Sequence, residues 1–468
     1  MFDYFFSFDR EKHLIYGKIL IPSWSESILQ LGLPAWRPGR YQLQNFPKNL
    51  LNIEATQGNL PVNVKKKDWR TWEFEVQDGG QIEINYIYYA FELNAGSSYV
   101  HRDYVYLNSV NFTLFHPSQS EFRIHIESEE KIAGGIAFDK QGNWQTSTFS
   151  SLYDWFDSPL LFGTHLKEYP FTAAGVPFYL WIQGETDLPM DIVLMDLQRV
   201  AEYQIEIFGE FPEPEYHFLL IVPPHSYYHG VEHRKSTVMV LGEHGRLGIS
   251  SYQDLLGLAS HELFHAWNIC KIRPKELLPY DYTQACYFDT CFVAEGITTY
   301  MGDRTLLDSG VFSREQYRHE LETTLRRHFD FSEPAYQSLL TSSFDLWVDG
   351  YEQGVPGKKV SVYHKGAIVA LMLDVYIRKG SKGSSLETYM KELYNIFGNL
   401  SKGYDYKEII EIAQNQTSIP LASYYEDFVA GTAPIFEACK EALEYFDFRL
   451  VRKENTVVLE DILAQENV

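Results

Sequence analysis

Ser260-His261-Glu262-Leu263-Phe264-His265-Ala266-Trp267 is the stretch on which the reading of the whole chain turns. It has the form His-Glu-x-x-His inside a segment of helical period, with Leu255, Leu258 and Leu263 near one side. Ser251 and Asp254 have the Ser-x-x-Asp spacing of a capping box at its start. Residues four apart on a helix stack on one face, so His261 and His265 can aim two imidazoles at one metal ion. Glu262 is turned by roughly 100° about the axis and can stand beside that metal without ligating it. Two neutral nitrogen ligands, with a carboxylate able to take a proton from water, are what metal-assisted hydrolysis needs. The motif is short, and paired helical histidines are often ordinary core or surface residues. The remaining parts have to be found elsewhere in the chain.

The surrounding 468 residues suffice for about two to four domains. A hydrophobic share of 45% allows large cores, and an aromatic share of 16% points to strand-rich architecture filled by big rings. No stretch reaches the ~20 apolar residues of a membrane span. Met1-Phe2-Asp3-Tyr4-Phe5-Phe6 shows no basic region followed by an apolar core, so no signal peptide is expected and a cytoplasmic location is. Cys270, Cys286, Cys291 and Cys439 form no Cys-x-x-Cys pair and read as free thiols. A net charge of −23 argues against nucleic acid as a partner. It suits a cationic ligand such as the α-ammonium of a peptide, although plain solubility explains it equally well.

The pattern along the chain is that of an α+β multidomain protein. Residues 1–165 read as an antiparallel β domain of sandwich type. Residues 72–76 and 122–127 alternate with period two, and turns such as Trp36-Arg37-Pro38-Gly39 and Asp78-Gly79-Gly80 separate the runs. Residues 166–450 read as a catalytic domain of mixed sheet plus helices. Strands are expected at 177–183, 217–222 and 236–241, with a helix at 191–208 and mostly helices after 250. Ser313 with Gln316, and Ser384 with Glu387, have capping-box spacing before two of them. Residues 451–468 read as a C-terminal tail in which 456–459 is either a strand or mobile.

A catalytic zinc keeps three protein ligands and leaves one position open. After His265, Arg273-Pro274 and Leu278-Pro279 mark a loop, and a helical pattern resumes at 288–307. It carries Ala294-Glu295-Gly296-Ile297-Thr298-Thr299-Tyr300. Glu295 is the expected third ligand. It follows the apolar run Cys291-Phe292-Val293-Ala294, and a buried glutamate needs a partner. Thr299, one turn further on, is a candidate to support the ligands.

Taken with Lys271-Ile272-Arg273-Pro274 and Leu33-Pro34-Ala35-Trp36-Arg37-Pro38-Gly39-Arg40-Tyr41, these segments resemble the M61 glycyl aminopeptidase family, gluzincin zinc peptidases, over nearly the whole chain. The resemblance implies a β domain followed by a thermolysin-like zinc peptidase domain. One zinc per chain would be held by His261, His265 and Glu295. The substrates would be peptides with a free N-terminus, cut after a small first residue, glycine or alanine. His229-Gly230-Val231-Glu232 looks like the exopeptidase motif of related aminopeptidases, where an edge strand holds the substrate backbone and a glutamate binds its amino group. The family often has paired glycines there, and this chain has His229 in place of the first. A glutamate in a surface turn is the ordinary alternative for Glu232. Tyr363-His364-Lys365-Gly366 resembles the Tyr-x-Lys-Gly segment whose tyrosine stabilises the oxyanion, and His364 is the neighbouring alternative to Tyr363. Many family members end in a PDZ domain. This chain ends at Val468, about where that domain would begin, so the domain is expected to be absent. The expected function is a zinc aminopeptidase with Glu262 as its base. The alternatives are a zinc endopeptidase and a catalytically silent peptide-binding protein of the same fold.

Overall fold

The computed structural model describes residues 1–331, 335–352 and 354–465. In the N-terminal part, aromatic and β-branched residues at alternate positions drive pleated strands with one buried face. Strand Leu14–Ile21 lies between Phe2–Asp9 and Ile82–Tyr89 in an eight-stranded sheet. The inward residues, among them Tyr4, Phe6, Ile15, Ile19, Ile82 and Ile84, are fully buried. A three-stranded sheet of Ile28–Gly32, Thr71–Glu75 and Asn63–Lys66 supplies Leu29, Leu31, Trp72 and Phe74 to the same core. The pairing departs from the antiparallel expectation in one place. Phe2–Asp9 runs parallel to Phe122–Glu127, with Phe2 opposite Phe122, and the long intervening chain makes such a crossover possible.

The second part is built on a five-stranded sheet in the order Lys167–Ala173, Val176–Gln183, Tyr216–Ile221, Ser236–Gly242, Tyr227–Glu232. Tyr216–Ile221 and Ser236–Gly242 are buried at every position, which is why they read as continuous apolar runs rather than alternating ones. Tyr227–Glu232 is the edge strand, antiparallel to Ser236–Gly242 with Gly230 opposite Met239. Helices Met190–Phe208 and Tyr252–Phe264 pack on the sheet and on each other. The helix expected over 288–307 begins instead as a π turn, Phe292–Ile297, and continues as α-helix Thr298–Asp308.

Helix ends show where sequence spacing misleads. The Ser313–Gln316 box forms. The Ser251–Asp254 box does not, because Ser251 ends a 3-10 turn that runs straight into the helix. The box expected at Ser384 and Glu387 forms one residue later, between Ser385 and Thr388. Of the expected tail, residues 451–461 contribute to a hairpin, and 456–459 take the strand alternative. Strand Phe448–Lys453 pairs with Thr456–Asp461, and Thr456–Asp461 packs on helix Arg314–Phe329. Phe448, Leu450, Val457 and Leu459 alternate inward and are buried, and Arg318 and Arg326 donate to the carbonyls of Leu459 and Val457 at 2.8 and 3.0 Å.

The two parts interlock. Ala35, Trp36 and Tyr41 leave the β domain and bury in the core of the second part. There the Trp36 ring meets Tyr280 edge-on at 5.4 Å and Trp347 at 5.3 Å, and its Nε1 donates to the Asp281 carbonyl at 2.7 Å. Tyr282 makes the reverse journey into the β-domain core. This arm, residues 33–41, thereby reaches the edge strand.

Candidate functional site

His261 and His265 lie one turn apart on and just after helix Tyr252–Phe264, which ends at Phe264 with His265 as its C-cap. Their Nε2 atoms are 3.1 Å apart. Glu295 faces them from the π turn, its Oε2 3.6 Å from His261 Nε2 and 3.4 Å from His265 Nε2. A tetrahedral zinc with bonds of ~2.0–2.2 Å keeps its ligand atoms about 3.4 Å apart, so this donor triangle fits one such ion. The π turn is the local device that aims Glu295 inward, in keeping with the frequency of π turns at functional sites. Close helix contact helps. A methyl group on Gly302 would come within 3.1 Å of His261 Cα, and one on Gly296 within 2.5 Å of Gly366 Cα. These glycines let the glutamate-bearing segment approach both the histidine helix and helix His364–Gly380.

The supporting contacts differ from expectation. His265 Nδ1 pairs with the Asn268 carbonyl at 2.9 Å, leaving Nε2 to face the donor triangle. Asn268 Nδ2 in turn donates to the Val293 carbonyl at 2.8 Å and to Thr298 Oγ1 at 2.9 Å. Thr298, 3.5 Å from His265 Nδ1, holds the place proposed for Thr299. Thr299 instead lines the cavity and donates to the Glu295 carbonyl at 2.8 Å.

Negative charge is concentrated here. Burial alone would push Glu295 up, but His265 and His261 bring it down to about 2. Burial alone would push His265 down, but Glu295, Glu232 and Glu262 outweigh it and raise the ring to about 10. Burial, reinforced by Glu232 and Glu295, holds Glu262 well above the usual carboxylate range. Three carboxylates around one imidazole make a site suited to a divalent cation. Glu232, Glu262 and His265 form a second group whose donor atoms lie within 4.8 Å of one another, so the field is shared rather than confined to one triad.

Gly230 and Glu232 sit on the edge strand as its sequence proposed, with His229 causing no break in the pairing. A methyl group on Gly230 would overlap the Glu262 carboxylate. Only glycine lets the strand pass this close to that carboxylate. Glu232 is 6% exposed and its Oε1 has no hydrogen-bond partner. Its other oxygen lies against Gly39 of the β-domain arm, where a Cβ would sit 2.5 Å away and the backbone has φ +74°.

Tyr363 and His364 both line the same cavity, of about 650 Å³. They differ in their neighbours. Tyr363 is held protonated by burial and by the nearby charges of Glu295 and Glu232. His364 is pushed down to about 4 by burial and by Arg327, whose Nη1 lies 3.5 Å from its Nε2. Among the cavity residues that the sequence reading did not name as site residues are Arg37, Gly39 and Arg40 of the arm, and Tyr351, whose hydroxyl accepts from the Tyr41 amide at 3.4 Å.

Two histidines on one helix, a glutamate on the next and an adjacent edge strand form the layout of a metallopeptidase centre. The sequence profile of the M61 glycyl aminopeptidase matches residues 254–369, and that of the peptidase M61 N-terminal domain matches residues 3–164. The chain belongs to the M61 glycyl aminopeptidase family and is a metallo-aminopeptidase. No curated relative matches the sequence. Among solved structures, an aminopeptidase N family protein from Idiomarina loihiensis is similar at 28% identity and TM-score 0.89, over 97% of this chain and 79% of that one. The M1 zinc metallopeptidase of Deinococcus radiodurans, a mutant bound to Tyr-Ser-Ala, shares the fold at 14% identity and TM-score 0.57, over 92% and 94% of the two chains. Native yeast LTA4 hydrolase shares it at 13% identity and TM-score 0.54, over 92% and 68%. Among the described residues, no helix is long and apolar enough to cross a membrane.

Proposed function

We propose that this zinc aminopeptidase holds one zinc ion through His261, His265 and Glu295 and removes single small residues, glycine or alanine, from free peptide N-termini. A bound zinc would supply Lewis acidity to water and to the scissile carbonyl. The remaining work falls to side chains of this chain. Glu262, whose Oε2 has no partner and whose burial makes its carboxylate more basic, takes a proton from the attacking water and returns it to the leaving amine. Tyr363, protonated throughout the physiological range, donates its hydroxyl hydrogen to the oxyanion. Strand Tyr227–Glu232 offers its free edge to the substrate backbone. Glu232 pairs with the α-ammonium. Four buried cysteines without disulfides suit a reducing, cytoplasmic setting.

The observation that carries this reading is Glu232. A carboxylate that is buried, lacks a partner for one oxygen and ends an edge strand beside the donor triangle is placed to receive a cation from the substrate. Its test compares free-amino with N-acetylated aminoacyl-arylamides. Glu232→Gln is expected to lower kcat/KM for free-amino substrates by roughly 10–150-fold, the worth of a charge-assisted hydrogen bond. The blocked substrates, poor from the start, should hardly change. If the parent cleaves both classes equally, or the variant lowers both equally, Glu232 does not read the amine.

A further inference from the structure

The catalytic cavity is not alone at its amino end. A second cavity of about 630 Å³ lies between the β domain and the segment that follows Phe344. Its lining is rich in side-chain amides, among them Gln42, Gln44, Asn45, Asn94 and Asn111, the chemistry that pairs with peptide groups. Its size falls within the range of ordinary ligand pockets, ~300–1,000 Å³. Among the described residues, only Arg37 and Arg40 line both cavities.

These two arginines stand side by side on the arm that reaches the edge strand. Arg37 is 2% exposed, and its Nη1 donates to the Pro38 carbonyl at 3.0 Å. It lies so close over Gly96 that any side chain there would overlap the guanidinium. Arg40 is partly exposed, and its guanidinium stacks over Tyr351 at 4.9 Å from the ring centre. Between them Gly39 presses on Glu232. The arm and Tyr351 therefore close the cavity just beyond the carboxylate proposed to hold the ammonium.

We infer that Arg37 and Arg40 are specificity-determining residues: they form the partition that limits the enzyme to one residue before the scissile bond. The inference rests on the reading of Glu232 given above and adds to it. Glu232 rewards an amine, and the arginine pair denies a chain that extends past it. The second cavity is the space such an extension would enter were the partition removed. Opening it leaves the chemistry unchanged. One water is consumed and one peptide C–N bond breaks. The hydroxyl goes to the new carboxylate and the proton to the leaving amine, but the released acid is a dipeptide rather than an amino acid.

The experiment uses the full chain loaded with zinc, with Ala-arylamide and Ala-Ala-arylamide as substrates and mass spectrometry of the products. Direct release of Ala-Ala from the longer substrate is the readout, since a merely loosened fold would slow both reactions without producing a dipeptide. In Arg40→Ala the ratio of direct dipeptide release to single-residue release should rise roughly tenfold, the scale of a subsite change. Arg40→Gln keeps a shorter polar chain and serves if the alanine variant is insoluble. Its expected gain is about threefold on the same scale. Ser97→Trp fills the second cavity and, added to either variant, should abolish the gain. An unchanged ratio in folded, active Arg40→Ala overturns the partition, and so does a gain that survives Ser97→Trp. If the parent fails to release alanine from Ala-arylamide at all, the aminopeptidase reading itself falls.

Discussion

The donor side and the amino end of the cavity are built in different ways. Donors His261, His265 and Glu295 come from two consecutive helical segments, and their geometry follows from helix pitch and one loop. The amino end is assembled from three distant pieces: the arm carrying Arg37 and Gly39, the edge strand carrying Glu232, and Tyr351. No local period encodes the second arrangement. Short-range rules thus set the donor triangle, and tertiary docking sets the amino end.

Substitutions on the two sides should accordingly fail differently. The largest effect belongs to Glu262→Gln, which keeps shape and removes the base. Turnover should fall by roughly 10²–10⁴ on every substrate while zinc content stays at the parent level. Near-normal turnover would remove Glu262 from the mechanism. Next is Tyr363→Phe, with an expected loss of about 10² in kcat and little change in KM. If steady-state kinetics show that pattern for His364→Ala and not for Tyr363→Phe, the oxyanion donor is the histidine. Glu232→Gln, at the amino end, should instead discriminate between free and blocked amines, as set out above.

A smaller effect belongs to Asp303, another residue that lines the cavity. Burial, reinforced by Glu320, pushes Asp303 up to about 7. An acid whose folded pKa exceeds its unfolded value keeps its proton in the native state after the unfolded chain has lost it. Its contribution to stability is therefore lost as pH climbs from about 4 to about 7. Asp303→Asn removes that penalty. Its melting temperature relative to the parent should rise across this window and level off above it, by at most about 4 °C for a chain this long. A difference that stays flat between pH 4 and 8 would show that Asp303 is not strained.

This contrast also explains what the sequence revealed. The histidine pair was legible because four-residue spacing is a local property, and Glu295 because an apolar setting marks a buried carboxylate. Gly230, Gly296 and Gly366 stood inside recognisable motifs, but their reason, room for Glu262 and for a close helix crossing, exists only in the folded chain. The strands and most helices followed their periods. The π turn did not, since nothing in a helical pattern distinguishes it from an α turn. Thr298 was displaced in favour of Thr299 by the same uncertainty, because a widened turn rotates every residue after it. Asn268 acts through its backbone carbonyl, which no side-chain pattern reports. Arg37 and Gly39 lay in a stretch read as a turn of the β domain, and Tyr351 was one tyrosine among 33.

The central claim is that His261, His265 and Glu295 together hold one zinc ion. Elemental analysis of protein stripped by chelator, then reconstituted with zinc and desalted, tests it most directly. The account predicts close to one equivalent per chain in the parent and less than about a tenth in His265→Ala, because a site missing a ligand loses most of its affinity. Less than about a tenth of an equivalent in the reconstituted parent would contradict it.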